Sequence, residues 1–298
     1  VLKILDQVSS FEDEIIIKRS EEIDKMIGLL NKEDDFRKNL LNFLSHYFIS
    51  YKDYFEDIST YEDYIKYIRN ITQRSLKGDW MRSFEEIEIA NYLYLSGINY
   101  EYEAEYKGSY ENDESFALND LKAKNVQTNK EKAKKSYHPD FYLPEYEIYI
   151  EHFALDESNN APSYFKDPIK YAEQYEEKVE VHKRNKTKLI RTFSWMKKNG
   201  TLIKELEESL IYHKVKYNPL KDEEKIKKFI DGKYVSNLNQ LIATFMHHVK
   251  SNELNLEDIR KKIFTINEPI NQNRAALFID IFEKIYDLYQ SKLQEQDQ

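Results

Sequence analysis

Cysteine is absent from the chain, which excludes disulfides and thiolate metal sites and agrees with a reducing, cytoplasmic setting. No apolar run reaches the roughly 18 residues that a membrane helix needs, and no basic-plus-apolar leader is present. The sequence therefore predicts neither a membrane span nor a signal peptide. A GxxxxGK phosphate loop is also lacking, so the chain is not by itself a P-loop ATPase, and no internal repeat is evident. There is no excess of basic charge. The net charge of -9 is unfavourable for a free-standing nucleic-acid binder, although basic clusters occur at 130–135 and 183–188 and acids gather at 12–22 and 101–114. Such runs are usually solvated surface.

What is present suffices for a folded core: 298 residues, 41% of them hydrophobic. The start on Val1 and the polar run at 294–298 read as the ends of a fragment cut from a longer protein. In 11–74 glycine and proline are scarce, and Ile15, Ile16, Ile23, Met26, Ile27 and Leu30, then Leu40, Leu41, Leu44 and Phe48, recur at helical spacing. About three helices are expected there, with breaks near 31–35 and 56–60. The pattern returns after residue 218 in Leu238, Leu241, Ile242 and Phe245 and in Leu277, Phe278, Ile281, Phe282, Ile285 and Leu288. The two flanks, 1–78 and 214–298, are expected to share one core as a discontinuous helical domain around a middle domain at 79–213. His247 and His248 do not read as a metal pair, because neighbours on a helix point about 100° apart.

The middle opens on a capping box, Ser83-Phe84-Glu85-Glu86, followed by the apolar stripe Ile87, Ala90, Leu93 and Tyr94, with Gly97 as the stop. Glu86 thus has a structural role available, reaching back to the Ser83 amide. A half-exposed strand is expected at 100–106 and a long polar loop at 107–136. Two short strands at 137–153 are followed by a loop at 156–168, a helix at 169–184, a strand at 187–194 and a helix at 202–212. This order predicts an α+β fold with a mixed sheet flanked by helices.

The stretch YHPDFYLPEYEIYIEHF carries the chemistry. Its two strand-forming runs are split by Pro144-Glu145-Tyr146, and so brief a connection requires an antiparallel hairpin. If the turn centres on Glu145 and Tyr146, Leu143 faces Ile148, Phe141 faces Ile150 and Asp140 faces Glu151. Alternation then puts Phe141, Leu143, Ile148 and Ile150 on a core face and Asp140, Tyr142, Tyr149 and Glu151 on the other. Opposed carboxylates destabilise a hairpin unless something neutralises them, and a hard divalent cation would. Two acids on a solvated face, in a chain with 33% charged residues, is the other reading of the same spacing.

Pro139-Asp140, then Glu151 after a short hairpin, behind a helix carrying Glu86, resembles the PD-(D/E)xK nuclease superfamily. RSFEEIEIANYLYLSGINYEYE, YHPDFYLPEYEIYIEHF and KLIRTFS resemble the nuclease-bearing group of bacterial UvrD/Rep-type helicases. NQLIATFMHHVKSN resembles the helical stretch shortly before the helicase acidic motif. The resemblance spans roughly residues 36–293 and implies a restriction-endonuclease-like module inserted in a helical subdomain of a helicase motor. It implies DNA and the remaining motor domains as partners, and hydrolysis of phosphodiester bonds with Mg²⁺ or Mn²⁺ held by Asp140, Glu151 and Glu86.

One departure stands out: the superfamily has a lysine two residues after its acid, and here Phe153 occupies that place. Lysines that have migrated to another element are known in the superfamily, and Lys178, one helical turn before His182, is the preferred replacement, with Lys188 on the next strand second. His182, Lys188 and His152 are auxiliary candidates. Loss of the motif lysine also leaves open a degenerate fold that binds or guides DNA without cutting it. A purely helical interaction scaffold would leave the hairpin unexplained.

Overall fold

Helical spacing with few breakers, then alternating strand-formers, then helical spacing again, produce the element order. The structure is a computed structural model that describes residues 2–48, 60–63, 65, 74–108 and 137–296. Along the chain come α1 (Leu2–Leu30) and α2 (Asp34–Asn42), the latter continuing into a π-helical stretch at Phe43–Phe48. Next are α3 (Phe84–Leu95), β1 (Glu101–Tyr102), β2 (Phe141–Leu143), β3 (Ile148–Phe153), α4 (Pro168–Arg184) and β4 (Lys188–Phe193). The series ends with α5 (Ser194–Lys198), α6 (Leu202–Tyr212), α7 (Asp222–Asp231), α8 (Tyr234–Ser251), α9 (Leu256–Ile263) and α10 (Pro269–Gln296). No described helix is long and apolar enough to cross a membrane.

Two units form: Val1–Lys52 with Leu220–Gln298, and Asp53–Pro219. In the first, α1 packs along α8 and α10, and α2 against α10. Ile23, Met26 and Ile27 of α1, Leu40 of α2, Leu238, Ile242 and Met246 of α8, and Phe282 and Ile285 of α10 are all buried. Asn239 donates to Asp24 at 2.9 Å within this helical unit. The break near 31–35 is a turn closed by the Glu33 N–H on the Leu30 carbonyl at 2.8 Å. The break at 56–60, the loop at 107–136 and the basic cluster at 130–135 lie outside the described residues except at their edges.

The second unit is built on a four-stranded mixed sheet in the order β1-β2-β3-β4. Phe141 pairs Ile150 and Leu143 pairs Ile148, the register that a turn centred on Glu145 and Tyr146 dictates. β1 is antiparallel to β2, and β4 runs parallel to β3, with α4 as the crossover between them. The expected strand at 100–106 pairs only over Glu101 and Tyr102, and Glu103 then takes the left-handed conformation with φ 49°. After β4 the chain enters the short helix α5, which the spacing did not announce.

Only one of the two faces departs from expectation. The core face is as predicted, with Phe141, Leu143, Ile148 and Ile150 fully buried. The opposite face is not solvated: Tyr142 and Tyr149 are 4% and 3% exposed, and Glu151 only 1%. They lie under a cluster that includes Tyr106, Tyr137 and Val181 of α4. Solvated acids therefore no longer describe Glu151. A crossover helix must pack on the sheet it returns to, and α4 covers this face.

Gly97 ends α3 at φ +68°, with its N–H on the Tyr94 carbonyl at 3.1 Å, and a Cβ there would lie 1.8 Å from the Asn218 carbonyl oxygen. Gly97→Ala is expected to destabilise the Asp53–Pro219 unit by more than about 1 kcal/mol, through both the backbone conformation and the clash. Urea unfolding of the full chain followed by tyrosine and tryptophan fluorescence checks this; an unchanged midpoint would contradict it.

Candidate active site

Each functional side chain is placed by a short-range rule. Ser83 caps α3, accepting from the Glu86 N–H at 3.1 Å and donating its hydroxyl to Glu86 Oε1 at 3.0 Å. The other Glu86 oxygen accepts from the Arg82 amide at 3.3 Å rather than from that of Ser83, and from the Tyr102 hydroxyl. Glu86 therefore both caps its helix and faces β1.

Asp140 sits just before β2. The ladder with β3 ends at Phe141, one residue on from Asp140. Asp140 Oδ2 instead accepts from the His152 amide at 2.6 Å. The carboxyl resists ionisation well above the usual range, because of burial first and then the nearby charges of Glu151 and Glu86, with Lys178 acting against them. Arg82, paired with Glu103 at 2.6 Å, adds positive charge close by.

Glu151, from β3, accepts three charge-assisted hydrogen bonds. Lys178 Nζ lies 3.0 and 2.9 Å from its two oxygens, and the Tyr137 hydroxyl donates to Oε1 at 2.5 Å. Lys178 projects from α4, and its ammonium lies 5.6 Å from the centroid of the Phe153 ring and 5.3 Å from that of Tyr137. Phe153 itself packs in an apolar cluster with Leu155 and Tyr175. One turn along α4, His182 Nε2 is 3.1 Å from the Tyr137 oxygen and Nδ1 is 2.8 Å from Thr187 Oγ1. Burial, and then the Lys178 charge, push the His182 imidazole down to about 4, so it is neutral near pH 7.

The fold thus brings together Asp140, Glu151, Lys178 and His182, with Glu86 and Arg82 acting electrostatically on Asp140. Two candidates lie elsewhere. Lys188 is at the opposite end of the parallel pair and donates to the Tyr146 carbonyl at 2.9 Å, bracing the hairpin turn. The His152 side chain points to the other face, with Nε2 at 3.3 Å from Glu85 Oε2 and Nδ1 at 2.9 Å from Thr192 Oγ1. A second ion pair, Glu88 with Lys197, is buried beside that histidine and Glu85. His247 and His248 are neighbours on α8 in the helical unit. Tyr137, Thr187, Glu85 and Lys197 were not singled out by the sequence. Tyr137 stands two residues before Pro139 but is one of 24 tyrosines, so its type alone is no signal.

Among the described residues no three His, Asp or Glu side chains are gathered tightly enough to hold a metal ion by themselves. Asp140, Glu151 and Glu86 therefore do not form a closed three-carboxylate cage. Magnesium normally takes one or two carboxylates and keeps several waters. Asp140 fits that role on charge: it is pressed by two acids, and a divalent cation would relieve the penalty. No protein-family model, curated protein or solved structure matches the chain.

Because the folded Asp140 holds its proton well above 3.8, its ionised form costs stability at pH 7, and that cost disappears as pH falls from its folded value toward its unfolded one. Asp140→Asn is therefore expected to raise the metal-free melting temperature at pH 7 by roughly 2–4 °C, the shift that about 1 kcal/mol produces in a unit of this size. Calorimetry checks it, and Mn²⁺ should raise the wild-type value but not that of the variant. A lower melting temperature for Asp140→Asn would count against the strained-acid account.

Proposed function

We propose that the Asp53–Pro219 unit is a metal-dependent DNA nuclease module of the PD-(D/E)xK type, restriction-endonuclease-like in fold, from a cytoplasmic UvrD/Rep-type helicase-nuclease that serves DNA repair or defence. The observation that carries this reading is the reach of Lys178 from α4 to both oxygens of Glu151, beside Phe153. A lysine missing from the strand is supplied from the crossover helix. The α+β unit with its mixed sheet and the half-buried Asp140 beside Glu151 are what such a module requires.

In this reading Asp140 and Glu151 would hold Mg²⁺, and Glu86 would complete the acidic side of the site. When bound, the ion supplies Lewis-acid charge for the phosphoryl oxygens. The remaining work falls to the chain. Lys178 orients the attacking water and offers it a fixed positive charge in a low-dielectric setting. Asp140 is held in place by the His152 amide, and the Phe153 and Tyr137 rings lie against the Lys178 ammonium. Burial of Phe153 at the motif position, and the engagement of both Glu151 oxygens by Lys178, favour the second reading, a degenerate fold that binds or guides DNA for the motor.

Nicking of labelled DNA in Mg²⁺, Mn²⁺ or chelator separates the two. Asp140→Ala is expected to abolish metal-dependent cleavage while DNA binding persists, and Lys178→Ala to slow it by about 10²-fold or more. Lys188→Ala should cost little, given its place at the hairpin turn. Cleavage that survives both chelator and Asp140→Ala would point to a different site. An inert wild type, even within the complete helicase, would leave the degenerate fold standing.

A further inference from the structure

The buried side of the sheet carries a hydrogen-bond chain that the nuclease motif does not call for. Its proton directions follow from counting donors. A phenol has one proton, and that of Tyr137 is drawn to the charged Glu151 Oε1 at 2.5 Å rather than to His182 at 3.1 Å. The Tyr137 oxygen then accepts, so the proton on neutral His182 sits on Nε2. His182 Nδ1 then accepts, and Thr187 Oγ1 donates to it at 2.8 Å rather than to the more distant His182 carbonyl at 3.3 Å. With the Thr187 proton so used, the Tyr106 hydroxyl donates to Thr187 at 2.9 Å, and Asn185 Nδ2 donates to the Tyr106 oxygen at 3.1 Å. Every proton runs one way, from Asn185 at the end of α4 to the Glu151 carboxylate. Bonds in such a chain polarise one another.

We propose that Tyr137 and His182 are positioning residues, which with Thr187 fix the orientation of the Glu151 carboxylate so that its oxygens stay turned to Lys178. Three rings surround the His182 imidazole, Tyr106 at 4.8 Å, Tyr149 at 5.1 Å and Tyr137 at 5.8 Å between centroids, and they hold its plane. An imidazolium would place a second cation next to Lys178 and would need the Thr187 proton to leave Nδ1 for the more distant His182 carbonyl at 3.3 Å. The depressed protonation of His182 agrees with that direction. Only the catalytic consequence rests on the nuclease reading; the chain itself does not.

The test has two arms, both on the full chain. In protein carrying ¹⁵N-histidine, the His182 ring nitrogens are expected to report a neutral Nε2–H tautomer from pH 5 to 8. An Nδ1–H tautomer or an imidazolium at pH 7 would overturn the chain, whatever the activity. Kinetically, Tyr137→Phe is expected to lower kcat for DNA cleavage on the order of tenfold, the size of a lost hydrogen bond to a charged group, with KM for DNA little changed. His182→Leu should do the same and His182→Gln, which keeps a donor, should recover most of the loss. The Tyr137→Phe, His182→Leu double variant should be no slower than either alone. Additive losses, or equal losses in His182→Leu and His182→Gln, would overturn the positioning role. Wild type that is inert but shows the expected tautomer would overturn the nuclease reading and leave the chain intact.

Discussion

The Asp53–Pro219 unit depends on one interaction, the ion pair between Glu151 and Lys178. A carboxylate with 1% exposure is costly unless it is neutralised and its lone pairs are filled. Lys178 supplies the charge and two hydrogen bonds, and Tyr137 a third. That solution dictates much of the surroundings. The ammonium must come from a helix laid across the sheet face, so α4 is the crossover between parallel strands. The stem of the lysine and the hydroxyl of the tyrosine need apolar walls, which Phe153, Tyr106 and Tyr149 provide. A buried pair that replaced by apolar residues could be equally stable is retained, in the nuclease reading, for what the two groups do.

Strand β3 separates two ionic systems. Consecutive residues of a strand point to opposite faces, so Glu151 and His152 serve different neighbours. Glu151 meets Lys178 and Tyr137, whereas His152 meets Glu85 and Thr192 across the sheet, next to Glu88 and Lys197. His152 still touches the first system through its backbone, since its amide holds Asp140. That amide lies beyond the last ladder pair, Phe141 with Ile150. Past the end of the strand an acid stands beside Glu151 outside the pairing, where both burial and like charge work against its ionisation. Placing an acid under such pressure is a stability cost of the kind that clusters at functional sites.

Hairpin register was legible in the chain itself, because side-chain alternation and a proline-containing turn leave one antiparallel alignment with Phe141, Leu143, Ile148 and Ile150 on a common face. The capping role of Glu86, the stop at Gly97 and the spacing that puts Lys178 and His182 on one face of a helix were legible for the same reason: each depends on residues within a few positions of one another. That four strands form a mixed sheet also followed from local patterns, though their order in it, the short α5 and the early end of β1 did not. What only the tertiary structure decided is which long-range partner each polar group found. Whether Lys178 or Lys188 reached Glu151 depended on where a 17-residue helix crossed the sheet, which no spacing encodes. Burial of the second face depended on that same crossing, and the roles of Tyr137 and Thr187 on contacts between elements 45 and 81 positions apart. Periodicity is a property of neighbours in sequence, whereas a buried carboxylate is satisfied by neighbours in space.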